Sequence, residues 1–283
     1  MKSVPLAAAL LCLARPAAAI NLIADYQLND TFASAVAGAP PLVPLSSVSF
    51  TSANVYGQNR IVASFLQGSG LRLSAPAGIS TGGYTVAIVC AISTTTGFRK
   101  LIDFHDLTLD TGLYNFNNVL YFYPVIGGAS NTIAANAFMQ VVLTRDATGH
   151  VAGYVNGVPQ LSFQDTSNFS VLSGTAFNLF VDDTATGGTE ASAGMVARVR
   201  LYTGALTAAE VAALDGNPPP PCGSADFNHD GDSGTDADIE AFFACLAGNC
   251  CATCDSADFN GDGDSGTDAD IEAFFRVLAG GTC

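Results

Sequence analysis

A chain of 283 residues that is 49% apolar and only 12% charged is too hydrophobic and too sparsely charged to stay disordered, and its length allows one large domain or two smaller ones. After the first twenty residues there is no run of about 18 apolar residues, the length a membrane-spanning helix needs, so insertion into a bilayer is excluded. With 25 Asp and Glu against 10 Lys and Arg, a formal charge of −15, nucleic acid phosphates are repelled and drop out as partners.

Residues 1–19 have the grammar of a signal peptide: Lys2, an apolar stretch from Val4 to Leu13, and small residues at Ala17-Ala18-Ala19. Cleavage after Ala19 starts the mature chain at Ile20 and places it outside the cell or at its surface, where disulfides persist.

From 20 to 215 the pattern is apolar/polar alternation broken by Gly, Asn, Asp and Ser, which predicts an all-β sandwich. Tyr84 to Ile92 alternates so that Cys90 shares a face with Val86, Ile88 and Ile92, as a small buried hydrophobe rather than a reactive thiol. Leu113-Tyr114 pairs with Val119 to Tyr123 across Phe116-Asn117-Asn118. Phe138 to Arg145, a turn at 146–149, His150 to Val155 and the hairpin signal Asn156-Gly157 predict a three-strand meander. A short helix follows, with Thr207 as N-cap and Glu210 completing a capping box.

These segments carry a resemblance. Ile23 to Leu28, Gly70-Leu71-Arg72-Leu73, Val141 to Gly157, and Arg198 to Tyr202 leading into Ala205 to Val211 resemble the secreted bacterial laminin G-like branch of the concanavalin A-like lectin/glucanase superfamily. The resemblance implies a jelly-roll of two antiparallel sheets. Ala197 and Arg198 stand where many relatives carry acidic residues.

Catalysis is not expected. Glycosidases on this fold need two carboxylates flanking the scissile bond, yet residues 20–215 contain only two Glu, Glu190 in a Gly/Thr/Ser-rich loop and Glu210 committed to the cap, and no clustered acidic strand motif. His105 and His150 have no motif partners. The sequence lacks Trp, so the candidate sugar contacts are Tyr114, Phe116, Tyr121 and Tyr123, of which alternation sends at least half to the core. Asp182, Asp183 and Glu190 read as solvated loop acids, with a cation site as the alternative.

Residues 216–221 contain four consecutive prolines, a semi-rigid spacer on the order of 12 Å. Beyond it, residues 222–283 hold 11 Asp and 2 Glu against Arg276 alone. Ser224 to Phe243 returns as Ser256 to Phe275 with one change, His229 to Gly261. Each copy (222–251 and 254–283) opens with Asp-x-Asn-x-Asp-Gly-Asp, in which alternate oxygens can turn onto one hard cation while Gly231 or Gly263 permits the bend. Calcium is the expected ion. A capped helix follows in each copy, with Ile239, Phe242, Phe243 and Leu246, and Ile271, Phe274, Phe275 and Leu278, as stripes that bury against each other.

The tandem resembles a type I dockerin, a pair of half EF-hands. By that resemblance the calcium ligands are Asp226, Asn228, Asp230, Asp232 and Asp238, and Asp258, Asn260, Asp262, Asp264 and Asp270, with Asp236 and Asp268 as alternatives because the last carboxylate falls thirteenth. A cohesin-like or cell-surface protein is the implied partner, although the cohesin-contacting helix positions find no match here. The repeat suggests disulfides Cys222–Cys251, Cys254–Cys283 and Cys245–Cys250. The whole reads as a mainly β, jelly-roll antiparallel sandwich plus a small α-helical calcium-loop module. Its function is non-catalytic binding or adhesion to carbohydrate or a protein surface. The alternatives are a polysaccharide-degrading enzyme component and a structural matrix protein.

Overall fold

The computed structural model describes residues 20–74, 83–172, 176–218, 223–261 and 264–281. The expected signal peptide, residues 219–221 of the proline spacer, Cys222, Asp262, Gly263 and Cys283 lie outside these residues. In chain order the strands are β1 (Leu22–Tyr26), β2 (Val43–Leu45), β3 (Val48–Val55), β4 (Gln58–Phe65), β5 (Gly70–Ser74), β6 (Tyr84–Ile92), β7 (Phe98–Asp103), β8 (Gly112–Phe116), β9 (Val119–Tyr123), β10 (Ile126–Gly127), β11 (Met139–Arg145), β12 (His150–Val155), β13 (Val158–Gln164), β14 (Ala176–Leu179) and β15 (Gly194–Thr203). Three helices follow: α1 (Ala208–Ala212), α2 (Asp236–Leu246) and α3 (Asp268–Leu278).

The strands form two antiparallel sheets. One runs β13-β12-β11-β6-β15-β4-β3, with β1 also on β15; the other runs β10-β9-β8-β7-β14-β5-β2. Between them lies the core predicted from alternation, in which Tyr84, Phe104 and Phe177 pack as a ring cluster and the Tyr84 hydroxyl donates to Ser170 O at 2.6 Å. Cys90 sits in that core with Val86, Ile88 and Ile92, and burial pushes its thiol up to about 12, which leaves it inert. All of β6 is buried, because the other face of its sheet is covered as well: Val211 of α1 and Leu206 pack on Ala87, Val142 and Tyr154. The capping box is formed, with Glu210 accepting from Thr207 N at 2.7 Å and Thr207 accepting from Glu210 N at 3.3 Å. At the Asn156-Gly157 hairpin both residues have positive φ, as its tight turn requires.

Arg198 is held by Asp25 through two contacts of 2.8 and 2.9 Å, and it shares Asp215 with Arg200. The sandwich contacts extend to Asn217, which accepts from Gln140 Nε2 at 2.6 Å and donates to Val211 O and Ala212 O.

In the C-terminal unit the twin helices meet through Phe242 and Phe274, whose rings stack at 4.1 Å, and Phe227 and Phe259 complete the small core. Two expectations are corrected here. Phe243 and Phe275 are 44% and 45% exposed rather than buried, since a helix only eleven residues long presents one narrow stripe to its partner and Phe242 and Phe274 already fill it. Cys245–Cys250 forms as expected, but Cys251 bonds to Cys254, which overturns both the Cys222–Cys251 and the Cys254–Cys283 expectation. A turn between the repeats, closed by Cys254 N to Cys251 O at 3.3 Å, brings these two cysteines together and overrides the symmetry of the duplication.

Candidate functional site

β8 and β9 are joined by a two-residue turn in which Asn117 and Asn118 both have positive φ. The register places Tyr114 opposite Tyr121, Phe116 opposite Val119, and Gly112 opposite Tyr123, while Phe98 on β7 faces Phe116 and Lys100 faces Tyr114. Directly opposed residues share a face, so Leu113, Leu120 and Phe122 point into the core and the rings of Phe98, Tyr114, Phe116, Tyr121 and Tyr123 gather on the outside of the sheet. The expectation that at least half of the four rings are core is corrected: Tyr114 is fully buried, but on the outer side, and none of the four joins the core between the sheets. Phe98 is the hub: its ring stacks on Phe116 at 4.2 Å and meets Tyr114, Tyr121 and Tyr123 edge-on at 5.6, 5.8 and 5.3 Å. Tyr114 is buried beneath the group, and Phe98, Phe116, Tyr121 and Tyr123 are partly exposed.

Beside the rings lies an ionic cluster. Lys100 is fully buried: its ammonium donates to Asp183, lies 3.8 Å from Asp182 Oδ1, donates to Thr111 O at 3.5 Å and sits 4.6 Å over the Tyr114 ring. Segment 184–191 closes over β7. Glu190 O accepts from Lys100 N at 2.8 Å, and Arg99 donates to Thr189 O and Ala191 O. Asp182 takes Thr186 Oγ1 at 2.8 Å and Glu190 N at 2.9 Å, and Asp183 takes Ala185 N at 2.8 Å. Asp182 and Asp183 are thus buried partners of Lys100, not solvated loop acids, and the cation they hold is an ammonium. Nothing local in the sequence marks this, since Lys100 precedes them by about 80 residues.

A small cavity of about 50 Å³ lies between Phe98, Tyr123, Asp110 and Glu190. Tyr114 donates to Asp110 at 2.9 Å. Burial, reinforced by the charges of Asp110 and Asp182 and opposed by Lys100, pushes the Glu190 carboxyl up to about 7 from an ordinary 4.5. For Asp183 burial also acts upward, but the hydrogen bond and charge of Lys100 outweigh it and hold that carboxyl below the usual range. A raised acid binds more protons folded than unfolded between the two values, so Glu190 costs stability as pH rises from about 4.5 to 7. Glu190→Gln is expected to remove that decline, seen as a flatter melting temperature against pH over this window.

The expected calcium residues fall into two groups. In the first loop, Asp226 accepts from Asp230 N at 3.0 Å and Gly231 N at 3.1 Å, Asn228 Oδ1 accepts from Asp230 N at 2.9 Å, and Asp230 accepts from Asp232 N and Asn228 Nδ2, both at 2.9 Å. These side chains are gathered onto the loop's own N–H groups. Asp238, by contrast, is buried at the helix start, with Thr235 N and Oγ1 at 2.8 and 2.9 Å on one oxygen and Asn228 N at 3.3 Å on the other. Asp270 repeats these contacts with Thr267 and Asn260. Asp258, Asn260 and Asp264 occupy the equivalent loop of the second copy. Among the described residues no three His, Cys, Asp or Glu side chains converge at metal-ligand range. Carboxylate, amide and carbonyl oxygens on a tight turn are nonetheless the donor chemistry of a hard cation.

The sandwich has structural relatives. Domain 4 of AbnA, a GH43 extracellular arabinanase from Geobacillus stearothermophilus solved with arabinotriose, superposes with a TM-score of 0.51 at 20% identity over 68% of this chain and 97% of that one. The binding domain of Paraclostridial Mosquitocidal Protein 1 gives 0.53 at 11% identity over 68% of this chain, and a botulinum neurotoxin serotype D/C binding domain gives 0.51 at 8% over 72%. This chain spans about half the length of the two toxin domains. No curated protein matches it. Residues 67–212, more than half of the chain, match the Laminin_G_3 family model, and the chain belongs to that family of the concanavalin A-like lectin/glucanases superfamily.

Proposed function

We propose that this is an exported, non-catalytic binding protein whose sandwich recognises carbohydrate through the outer aromatic face of β7–β9. The carrying observation is the group of Phe98, Phe116, Tyr121 and Tyr123 on one sheet surface, rimmed by Asp110 and Glu190. Partly exposed rings cover the apolar faces of sugars, and adjoining carboxyls orient hydroxyls. The arabinotriose held by the arabinanase domain supports an oligosaccharide as the ligand class. A glycan array that includes arabino-oligosaccharides tests the reading, and a blank array overturns it.

The C-terminal unit completes the proposal as a calcium-dependent docking module for a protein partner at the cell surface. Asp226, Asn228, Asp230 and Asp232, with Asp258, Asn260, Asp262 and Asp264, would hold the ions, and Asp238 and Asp270 would tie each loop to its helix. Calcium would supply positive charge to a segment whose 13 acids face Arg276 alone.

Glu190 gives the glycosidase alternative its one favouring observation, since a carboxyl raised to about 7 beside Asp110 is suited to donating a proton. Release of reducing ends from a polysaccharide, lost in Glu190→Gln, is the result that favours it.

A further inference from the structure

The other sheet contains a fork. β15 pairs with β4 only over Gly194–Val196, against Phe65, Ser64 and Ala63, and from Val199 to Tyr202 the same edge is taken by β1. The register of β15 against β6 slips between Val196 and Arg198, where one partner gives way to the other. β1 and the first half of β4 therefore diverge, and a cleft of about 390 Å³ opens there, lined by Gln27, Asn29, Asn59, Arg60 and Ile61. This volume lies within the range of small-ligand sites, roughly 300–1,000 Å³.

The lining is chemically specific. Gln27 and Asn29 flank Leu28, which is fully buried at φ +53°, a left-handed conformation costly for a leucine, and Asp30 repeats that φ. Burying Leu28 in this conformation leaves its two amide neighbours exposed at the cleft. Arg60 is half-buried and has no hydrogen bond or ion pair with any described residue. The other described basic side chains are all engaged: Arg72 by Asp106, Arg99 by backbone carbonyls, Lys100 by Asp183, Arg145 by Ser170, Arg198 and Arg200 by Asp215, and Arg276 by Glu272. In a chain with 25 acidic residues a guanidinium without an ion pair among the described residues is conspicuous, and none of the described residues lining the cleft is an acid.

We infer that this fork is a second ligand site, on the opposite sheet from the aromatic face, and that it takes an acidic saccharide: a polyhydroxylated ring bearing a carboxylate. Arg60 offers a planar fork matched to a carboxylate. The three amides each present a donor and an acceptor, the pair that adjacent hydroxyls require, and Ile61 supplies an apolar contact for the C–H face of the ring.

The test is calorimetric titration of the full-length protein with galacturonate and glucuronate oligosaccharides, their carboxyl-reduced neutral counterparts and a sulfated oligosaccharide, at low and moderate salt. Expected is binding of a uronate oligosaccharide that weakens with salt and falls about ten- to a hundred-fold in Arg60→Gln, the loss of one charge-assisted contact. Arg60→Lys should fall between, and Tyr121→Ala/Tyr123→Ala should leave this binding unchanged. Equal affinity for acidic and neutral forms, preference for the sulfated probe, or an unaffected Arg60→Gln overturns the inference. Arg60 makes no hydrogen bond or ion pair with a described residue, and Tyr56 alone feels its charge, so the variant should fold normally, and an unchanged melting temperature verifies this. Loss in the tyrosine variant alone would place the acidic saccharide on the aromatic face and overturn the inference as well.

Discussion

Lys100→Met is expected to destabilise the sandwich by about 3–5 kcal/mol, the cost of leaving a buried charge without its counterion. Methionine fills nearly the same volume, so the loss is electrostatic: Asp182 and Asp183, both turned to the Lys100 ammonium, remain buried at 6% and 1% exposure with Glu190 and Asp110 alongside. The chain has no Trp, and all eight Tyr lie within residues 26–202, so tyrosine emission during urea unfolding reports the sandwich alone. Two further results are expected if the ion cluster is the cause. The deficit should shrink as the pH falls and the orphaned carboxyls take up protons, and Lys100→Met/Asp183→Asn should recover part of the loss. A midpoint unchanged from wild type would show that the cluster contributes nothing.

Removal of calcium is expected to have an effect of similar size on the C-terminal unit. At free calcium about a thousand times the dissociation constant, each site adds about 4 kcal/mol, a large fraction of what a module of this size holds. Because Phe242 and Phe274 stack across the repeat axis and share Phe227 and Phe259, the two helices should be lost together. Chelation should therefore abolish most of the far-UV helical signal in one transition while tyrosine emission stays constant. A helical signal and melting profile indifferent to chelation would remove calcium from the account.

Features set by local chemistry are legible in the sequence. The Asn156-Gly157 hairpin needs positive φ, the Thr207/Glu210 box satisfies its own N–H groups, and the duplicated helices declare themselves by identity. The site was not legible, for two reasons. β7 reads Phe-Arg-Lys-Leu-Ile-Asp, a run whose alternation is broken by the bulge between Lys100 and Ile102, so nothing signals that Lys100 turns onto an outer face and is then roofed over. Its partners come from a loop remote in sequence, where consecutive aspartates look like solvent-facing acids. The aromatic face failed differently: alternation shows that Tyr121 and Tyr123 share a side, but only the register across Asn117-Asn118 decides which side is the core. In the tail, symmetry suggested the wrong cysteine pairs because the turn between repeats has no counterpart in the duplicated unit.

Recognition of sugar by the outer rings of β8 and β9 is the claim on which the functional reading stands. Glycan-array profiling of the full chain beside Tyr121→Ala/Tyr123→Ala tests it most directly. The wild type should give a set of oligosaccharide signals that the variant weakens about tenfold or more, given about 0.5–1.5 kcal/mol for each aromatic contact beyond the area it covers. Identical profiles for the two proteins, with both folded by tyrosine-independent circular dichroism, would contradict it.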